Sequence, residues 1–227
     1  MNNQLFDADE IRKAIGILKP NHELFEVRIL QGYKILSGYF RDADRLLAEL
    51  NKQSTDLLRR ANIYITLQEL HPGCEARLQW NQFLDTKKDK FPTTSDNDVT
   101  RYKFIPIDID PIRPADISST EEELAYAADL LDEVLSYMAY SGWTKHIEAC
   151  SGNGYHLLFP CDSPVPSNDV ADCLSTLDEL FTNSFCKIDT TLSNPARIIK
   201  LYGTIARKGR STETRPHRLS KILKVIE

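Results

Sequence analysis

The stretch RYKFIPIDIDPIRP, Arg101 to Pro114, decides how this chain is read. It opens with large and β-branched residues in alternation, Tyr102, Phe104, Ile105, Ile107 and Ile109, the pattern of a buried strand. Two carboxylates, Asp108 and Asp110, close it, and proline follows at once. Residues two apart on a strand point to the same face, so the carboxylates project together. Like charges so placed repel unless a cation sits between them, and Mg²⁺ is held by one or two carboxylates together with substrate phosphates. A strand that simply ends in solvated aspartates fits this stretch equally well.

Around that stretch lie 227 residues, 41% hydrophobic and 27% charged, ample for one large domain or two small lobes. No apolar run approaches the roughly 20 residues that cross a bilayer, and the N-terminus lacks the blocks of a secretory signal. A cytoplasmic protein with no membrane partner is expected. The five cysteines, Cys74, Cys150, Cys161, Cys173 and Cys186, are odd in number and widely spaced, and indicate neither a disulfide framework nor a zinc knuckle. A net charge of −5 argues against bulk nucleic-acid affinity, but it conceals a basic C-terminal stretch.

The first hundred residues read as an alternating α/β lobe. Asp7 or Asp9 caps a helix with Ile11, Ala14, Ile15 and Leu18 on one face, ended by Pro20. Strands follow at Glu23 to Leu30 and Tyr33 to Phe40, joined by a tight hairpin at Gln31-Gly32. A helix from Asp42 to about Leu58, a strand from Asn62 to Leu67 and a helix from Cys74 to Phe83 come next. Leu84 to Thr100 is polar and reads as a surface loop near the site.

Beyond the central strand, Ser119 or Thr120 precedes Glu121-Glu122-Glu123, a capping arrangement for a helix to about Tyr140 stopped by Gly142. Leu124, Ala127, Ala128, Leu131, Val134, Leu135 and Met138 form its buried side. Such a helix packs on a sheet shared by the central strand and the next one, His146 to Cys150. Then comes Ser151-Gly152-Asn153-Gly154-Tyr155-His156, followed by an apolar strand, Leu157 to Phe159. Two glycines let a backbone turn tightly and expose N–H groups to phosphate, with Ser151 and His156 flanking. The spacing matches neither a Walker A loop nor a dinucleotide fingerprint, and a plain glycine-rich hairpin accounts for it too.

After a helix from about Asn168 to Phe185, Lys187-Ile188-Asp189 brings a single carboxylate to the end of a short apolar run. From Arg197 through Lys224 there are nine Lys or Arg residues and one acid, Glu213. In an acidic protein, a basic run beside Asp189 is a footprint for phosphates, or else a solvated surface segment.

In order, then, the chain carries DxD at a strand end, SGxGxH in a hairpin, a further Asp, and NPARIIKLYGTIARKG at Asn194 to Gly209. This order resembles the catalytic domain of the archaeo-eukaryotic primase superfamily, the primase-polymerases, in particular bacterial, phage and plasmid members. Asp108-Ile109-Asp110 is similar to that family's first motif, Ser151 to His156 to its second and Asp189 to its third. The Arg215-Pro216-His217-Arg218 segment, ELFEVRIL and TTSDND at Thr93 to Asp98 fit the same subgroup, so the likeness spans nearly the whole chain.

The resemblance implies an α/β (α+β) chain with the primase-polymerase fold: one catalytic domain over residues 1–227, in which an RRM-like catalytic sheet (101–227) packs against an N-terminal α/β lobe (1–100). It implies a DNA primase and polymerase, making and extending primers on single-stranded DNA. Asp108, Asp110 and Asp189 would be catalytic and hold two Mg²⁺ or Mn²⁺ ions, with no zinc. Ser151, Gly154, His156, Arg197, Lys200, Arg207 and Lys208 would bind the incoming NTP or dNTP, and Arg215, His217, Arg218 and Lys221 the DNA. The implied partners are a single-stranded template, a primer strand, and a helicase, other replication protein or fused C-terminal domain; the chain is a catalytic fragment or a stand-alone form. Two further readings fit the residues: another metal-dependent phosphoryl-transfer enzyme, such as a nuclease or cyclase, and a non-catalytic replication-initiator module.

Overall fold

The computed structural model describes residues 5–80 and 82–227. Helix α1 (Ala8–Leu18) buries Ile11, Ala14, Ile15 and Leu18, and of its two candidate caps Asp7 is the one used: Oδ1 accepts from the N–H groups of Asp9 and Glu10 at 3.0 Å. The hairpin of β1 (Phe25–Gln31) and β2 (Lys34–Phe40) pairs Gln31 with Lys34 across a turn in which Gly32 has φ +55°. The single helix expected from Asp42 to Leu58 is instead two, α2 (Ala43–Asn51) and α3 (Thr55–Leu58), because Ser54 accepts from Leu57 N–H and starts a new turn. Strands β3 (Asn62–Thr66) and β4 (Glu69–Leu70) follow. The helix expected over Cys74 to Phe83 is a 3₁₀ segment, Pro72–Trp80, and Asn81 lies outside the described residues. The expected loop from Leu84 to Thr100 holds β5 (Leu84–Asp85), a 3₁₀ turn at Asp96–Asp98 and the start of the next strand.

That strand is β6 (Val99–Pro111), and the core is built on it. After it come α4 (Glu121–Tyr140), β7 (His146–Cys150), β8 (Tyr155–Pro164), α5 (Asp169–Phe181) and β9 (Cys186–Ile188). Pairing is antiparallel throughout: β8 lies between β7 and β6, and β9 lies on the far edge of β6. This is the split β-α-β-β-α-β arrangement, with both helices available to cover one face. Thr120 closes the expected capping box on α4, trading hydrogen bonds of 3.1 and 2.9 Å with Glu123. Leu130 is buried on this helix, whereas Ala128 and Leu135, expected inside, are only partly covered.

The two halves of the chain exchange strands. β10 (Ile198–Lys200) joins the N-terminal sheet, giving the order β10-β3-β1-β2-β5. In return β4 pairs with the start of β6 in the core sheet. β11 (Ile205–Ala206) and β12 (Arg218–Leu219) form a small ladder, and β13 (Lys221–Ile226) extends the core sheet beside β7. One hydrophobic cluster runs through both sheets, from Ile11, Phe25 and Ile65 to Ile107, Leu157 and Ile199. Among the described residues no helix is long and apolar enough to cross a membrane.

Candidate active site

The alternation read from β6 holds in three dimensions. Ile105, Ile107 and Ile109 are buried, while Asp108 and Asp110 lie on the opposite face, half-buried. Asp108 stands opposite His156 on β8, and Asp189 donates its backbone N–H to Asp108 O at 3.0 Å. β9 thus delivers the third carboxylate beside the first two. Asp189 also caps the 3₁₀ turn Thr190–Ser193, its Oδ1 accepting from Thr191 N–H at 3.0 Å and Thr191 Oγ1 at 2.7 Å. Asp108, Asp110, Asp189, Ser151 and His156 all line one cavity of about 260 Å³, whose opposite wall is β10.

The two β6 carboxylates are shifted in opposite senses. Burial pushes Asp108 up, but His156, Lys208 and Arg113 outweigh it and hold this carboxyl below the usual carboxylate range. Burial and the charge of Asp108 hold Asp110 above that range, against the pull of Arg113 and Lys208. Asp108 Oδ1 is buried, sits 3.5 Å from His156 Nε2 and makes no hydrogen bond. Such an orphaned oxygen beside a second carboxylate is suited to a hard cation. Among the described residues no three His, Cys, Asp or Glu side chains gather closely enough to hold a metal unaided, so other oxygen donors would complete the shell.

The hairpin before β8 approaches β6 closely. A Cβ on Gly154 would lie 2.3 Å from Ile109 O, which only glycine avoids. The N–H groups expected to face a phosphate are satisfied inside the turn: Asn153 and Gly154 donate to Ser151 Oγ at 3.4 and 3.1 Å. Asn153 ties the tip to the start of α4, accepting from Ser119 N–H at 3.0 Å and Ser119 Oγ at 2.6 Å. His156 is 4% exposed, and its Nδ1 lies 2.8 Å from the hydroxyl of Tyr202, which is fully buried. Burial raises the Tyr202 phenol well above its ordinary pKa, and the other ring nitrogen of His156, Nε2, lies towards Asp108.

Three basic side chains line the cleft. Lys200 is 5% exposed; its Nζ donates to Ile205 O at 2.9 Å and Asn62 Oδ1 at 3.3 Å and lies 5.4 Å from the Tyr64 ring centre. Burial, with Arg207 adding, lowers its pKa to about 7. The Arg197 side chain has no partner among the described residues, and Lys208 acts by charge on Asp108 and Asp110. Arg207 does not line the cavity; Asn62 clasps its backbone, at 2.8 Å to N and 2.7 Å to O.

The four basic residues expected to meet DNA lie elsewhere. Arg215 pairs with Glu123 at 2.7 and 2.8 Å, and Arg218 with Glu121 at 2.6 and 3.1 Å, fastening the C-terminal segment to the acidic start of α4. His217 Nε2 lies 3.0 Å from Gly209 O. Lys221 is exposed at the start of β13. Sequence reasoning passed over Arg113, Tyr202, Asn62, Tyr64 and Asn153. Arg113 stands three residues from Asp110 and Tyr202 two from Lys200, but only tertiary packing turns either towards the site.

This geometry can be set beside known proteins. No protein-family model matches the sequence, and no curated protein matches it either. Solved structures do match. The crystal structure of primase RepB' superposes with a TM-score of 0.54 at 10% identity, over 96% of this chain and 56% of that one. The catalytic domain of primase RepB' in complex with initiator DNA gives 0.52 at 12% identity, over 96% of this chain and 86% of that one. The polymerase domain of Mycobacterium tuberculosis Ligase D in complex with DNA gives 0.46 at 11% identity, over 93% and 79%. The chain therefore has the primase-polymerase fold, and it spans a little over half the length of the first RepB' chain.

Proposed function

We propose that this protein is a template-directed nucleotidyltransferase of the primase-polymerase kind, which makes and extends primers on single-stranded DNA. The observation that carries the reading is the convergence of three carboxylates and three basic side chains on one cleft of this fold. Asp108 and Asp110, with Asp189 beside them, would hold Mg²⁺ or Mn²⁺, and the phosphates of the incoming nucleotide would supply the missing oxygen donors. Bound there, divalent ions lower the pKa of the attacking 3′-hydroxyl and neutralise charge on the transferred phosphoryl group and pyrophosphate.

The chain's own residues do the rest. With the Tyr202 hydroxyl donating to Nδ1, His156 would present Nε2–H and donate it to a phosphate oxygen. Arg197 and Lys208 bring charge to the β and γ phosphates, and Lys200, held near neutrality by burial, takes up a proton as phosphate arrives. Ser151 sets the turn that carries His156. Arg215 and Arg218 brace the C-terminal segment through α4, so Lys221 is the basic head of that group left to contact template DNA. Extension of a primed template by the wild type, and none by a folded Asp110→Ala variant, is the expected result; extension by that variant would sink the reading.

A further inference from the structure

Two stretches of the N-terminal half, ELFEVRIL and TTSDND, supply no residue to the lining of the catalytic cleft, yet a buried charge joins them. Glu26 of β1 is fully buried. Arg28 grips both of its oxygens, Nε donating to Oε1 at 2.9 Å and Nη2 to Oε2 at 2.8 Å. Ser37 Oγ donates to Oε1 at 2.5 Å and Thr94 N–H to Oε2 at 2.9 Å. A carboxylate taken out of water is tolerated when it is paired and hydrogen-bonded in this way. Arg28 Nη2 also donates to Thr94 O at 2.8 Å, and the Thr94 and Tyr39 hydroxyls lie 3.0 Å apart, so the TTSDND loop is pinned at Thr94. Its other end is pinned at Asp98, which accepts from Ser95 N–H and Oγ at 2.8 and 2.9 Å and from Arg77 at 2.9 and 3.2 Å.

Between these anchors Asp96 is exposed and reaches the turn Asn194-Pro195-Ala196-Arg197. Its Oδ2 accepts from Asn194 Nδ2 at 3.0 Å, and its Oδ1 accepts at 3.2 Å from Ala196 N–H, which Asn194 Oδ1 shares at 3.1 Å. Arg197 N–H closes the turn on Asn194 O at 3.0 Å, and Pro195 presets the first corner. The Arg197 side chain has no partner among the described residues and stands between two spaces, the catalytic cleft and a neighbouring cavity of about 590 Å³ lined by Asp96 and Asn194. The position of its backbone therefore decides which of them the guanidinium serves.

We propose that Asp96 is a positioning residue: the loop anchored on Glu26 holds the 194–197 turn so that Arg197 meets the β and γ phosphates of the incoming nucleotide. The assignment rests on the nucleotidyltransferase reading. Asp96 itself touches no reacting atom, and its charge alone would repel a triphosphate. Its contribution lies in the two hydrogen bonds it accepts from the turn, and the two effects have opposite signs.

The test is a double-mutant cycle of Asp96→Ala and Arg197→Ala, with initial rates on a primed single-stranded template measured against incoming nucleotide. Asp96→Ala is expected to raise the nucleotide KM about fivefold, with kcat changed by less than about twofold and Tm within about 4 °C of wild type. In the Arg197→Ala background the same change is expected to raise KM no further, because Asp96 acts through that arginine. Asp96→Asn, which keeps one acceptor oxygen in place, is expected to fall between wild type and Asp96→Ala. A fivefold effect that survives in the Arg197→Ala background overturns the assignment. So does a KM unchanged or lowered by Asp96→Ala, the result expected of a carboxylate that only repels phosphate. Hydrogen exchange at the Ala196 amide reads the contact without activity: exchange faster on the order of threefold in Asp96→Ala is expected, and an unchanged rate overturns the strut. A wild-type protein that makes no product overturns the nucleotidyltransferase reading itself, whatever the amide shows.

Discussion

Tyr202→Phe removes one oxygen atom from the fully buried side of the site. The ring and its packing stay, so the change isolates the 2.8 Å hydrogen bond to His156 Nδ1. His156 is itself only 4% exposed, so its nitrogen is left without water as well as without the phenol. An unpartnered buried polar atom costs about 1–3 kcal/mol, and in a domain of this size each kcal/mol lowers Tm by roughly 2–4 °C, so a fall of about 2–12 °C is expected. The functional loss is separate. With no donor at Nδ1 the ring proton is no longer confined to Nε2, and a charge-assisted hydrogen bond to phosphate, worth about 1.5–3 kcal/mol, is made only part of the time. A rise in nucleotide KM on the order of tenfold follows, with kcat affected less. Initial rates, thermal unfolding and nitrogen NMR of the His156 ring read the three effects. A Phe variant with wild-type nucleotide KM and a ring still protonated only at Nε2 would refute the reasoning.

The remaining predictions concern the turn, the buried lysine and the basic segment. Gly154→Ala drives a Cβ against Ile109 O and should cost about 2–3 kcal/mol while displacing His156, so both Tm and synthesis fall; wild-type Tm would mean the hairpin yields freely. Lys200 has a folded pKa of about 7 against an ordinary 10.5, so the unfolded chain binds more protons between those values and stability climbs with pH across that window. Lys200→Met should flatten the rise seen in thermal unfolding between pH 7 and 9, though not abolish it, because Lys19 is lowered to about 7 in the same way. Arg215→Ala, which strands Glu123, should lower Tm with little change in DNA affinity. Lys221→Ala should leave Tm alone and reduce the salt slope of DNA binding by about 1; the opposite assignment of effects would reverse these two roles.

Local signals carried much of this molecule. The strand of Ile105, Ile107 and Ile109 with two aspartates on its other face and the capping box at Thr120 depend on neighbours in sequence, and each formed as read. The hairpin read at Gln31-Gly32 formed one residue later, with Gly32-Tyr33 as its turn and Gln31 paired with Lys34. What escaped depends on distant partners. β10 pairs with β3 across more than a hundred residues, and nothing in IIK distinguishes that from a strand of the core sheet. Helical spacing over Cys74 to Phe83 yielded to a 3₁₀ segment that opens with Pro72-Gly73. Charge patterning likewise reports a cation without its partner: Arg215 and Arg218 face Glu123 and Glu121 in the fold, and the same run would read identically with phosphates opposite. Arg113 was in the decisive stretch, but its hold on Asp110 follows from a loop that turns back on itself.

The most direct measurement is synthesis on a primer-free single-stranded DNA template with labelled ribo- and deoxyribonucleotides and Mg²⁺ or Mn²⁺, with the Asp108→Ala/Asp110→Ala double variant alongside. Products that require the template and the metal, and that are missing from the folded double variant, are the predicted result. Equal product from the double variant, or triphosphate consumed without any template, would contradict the account.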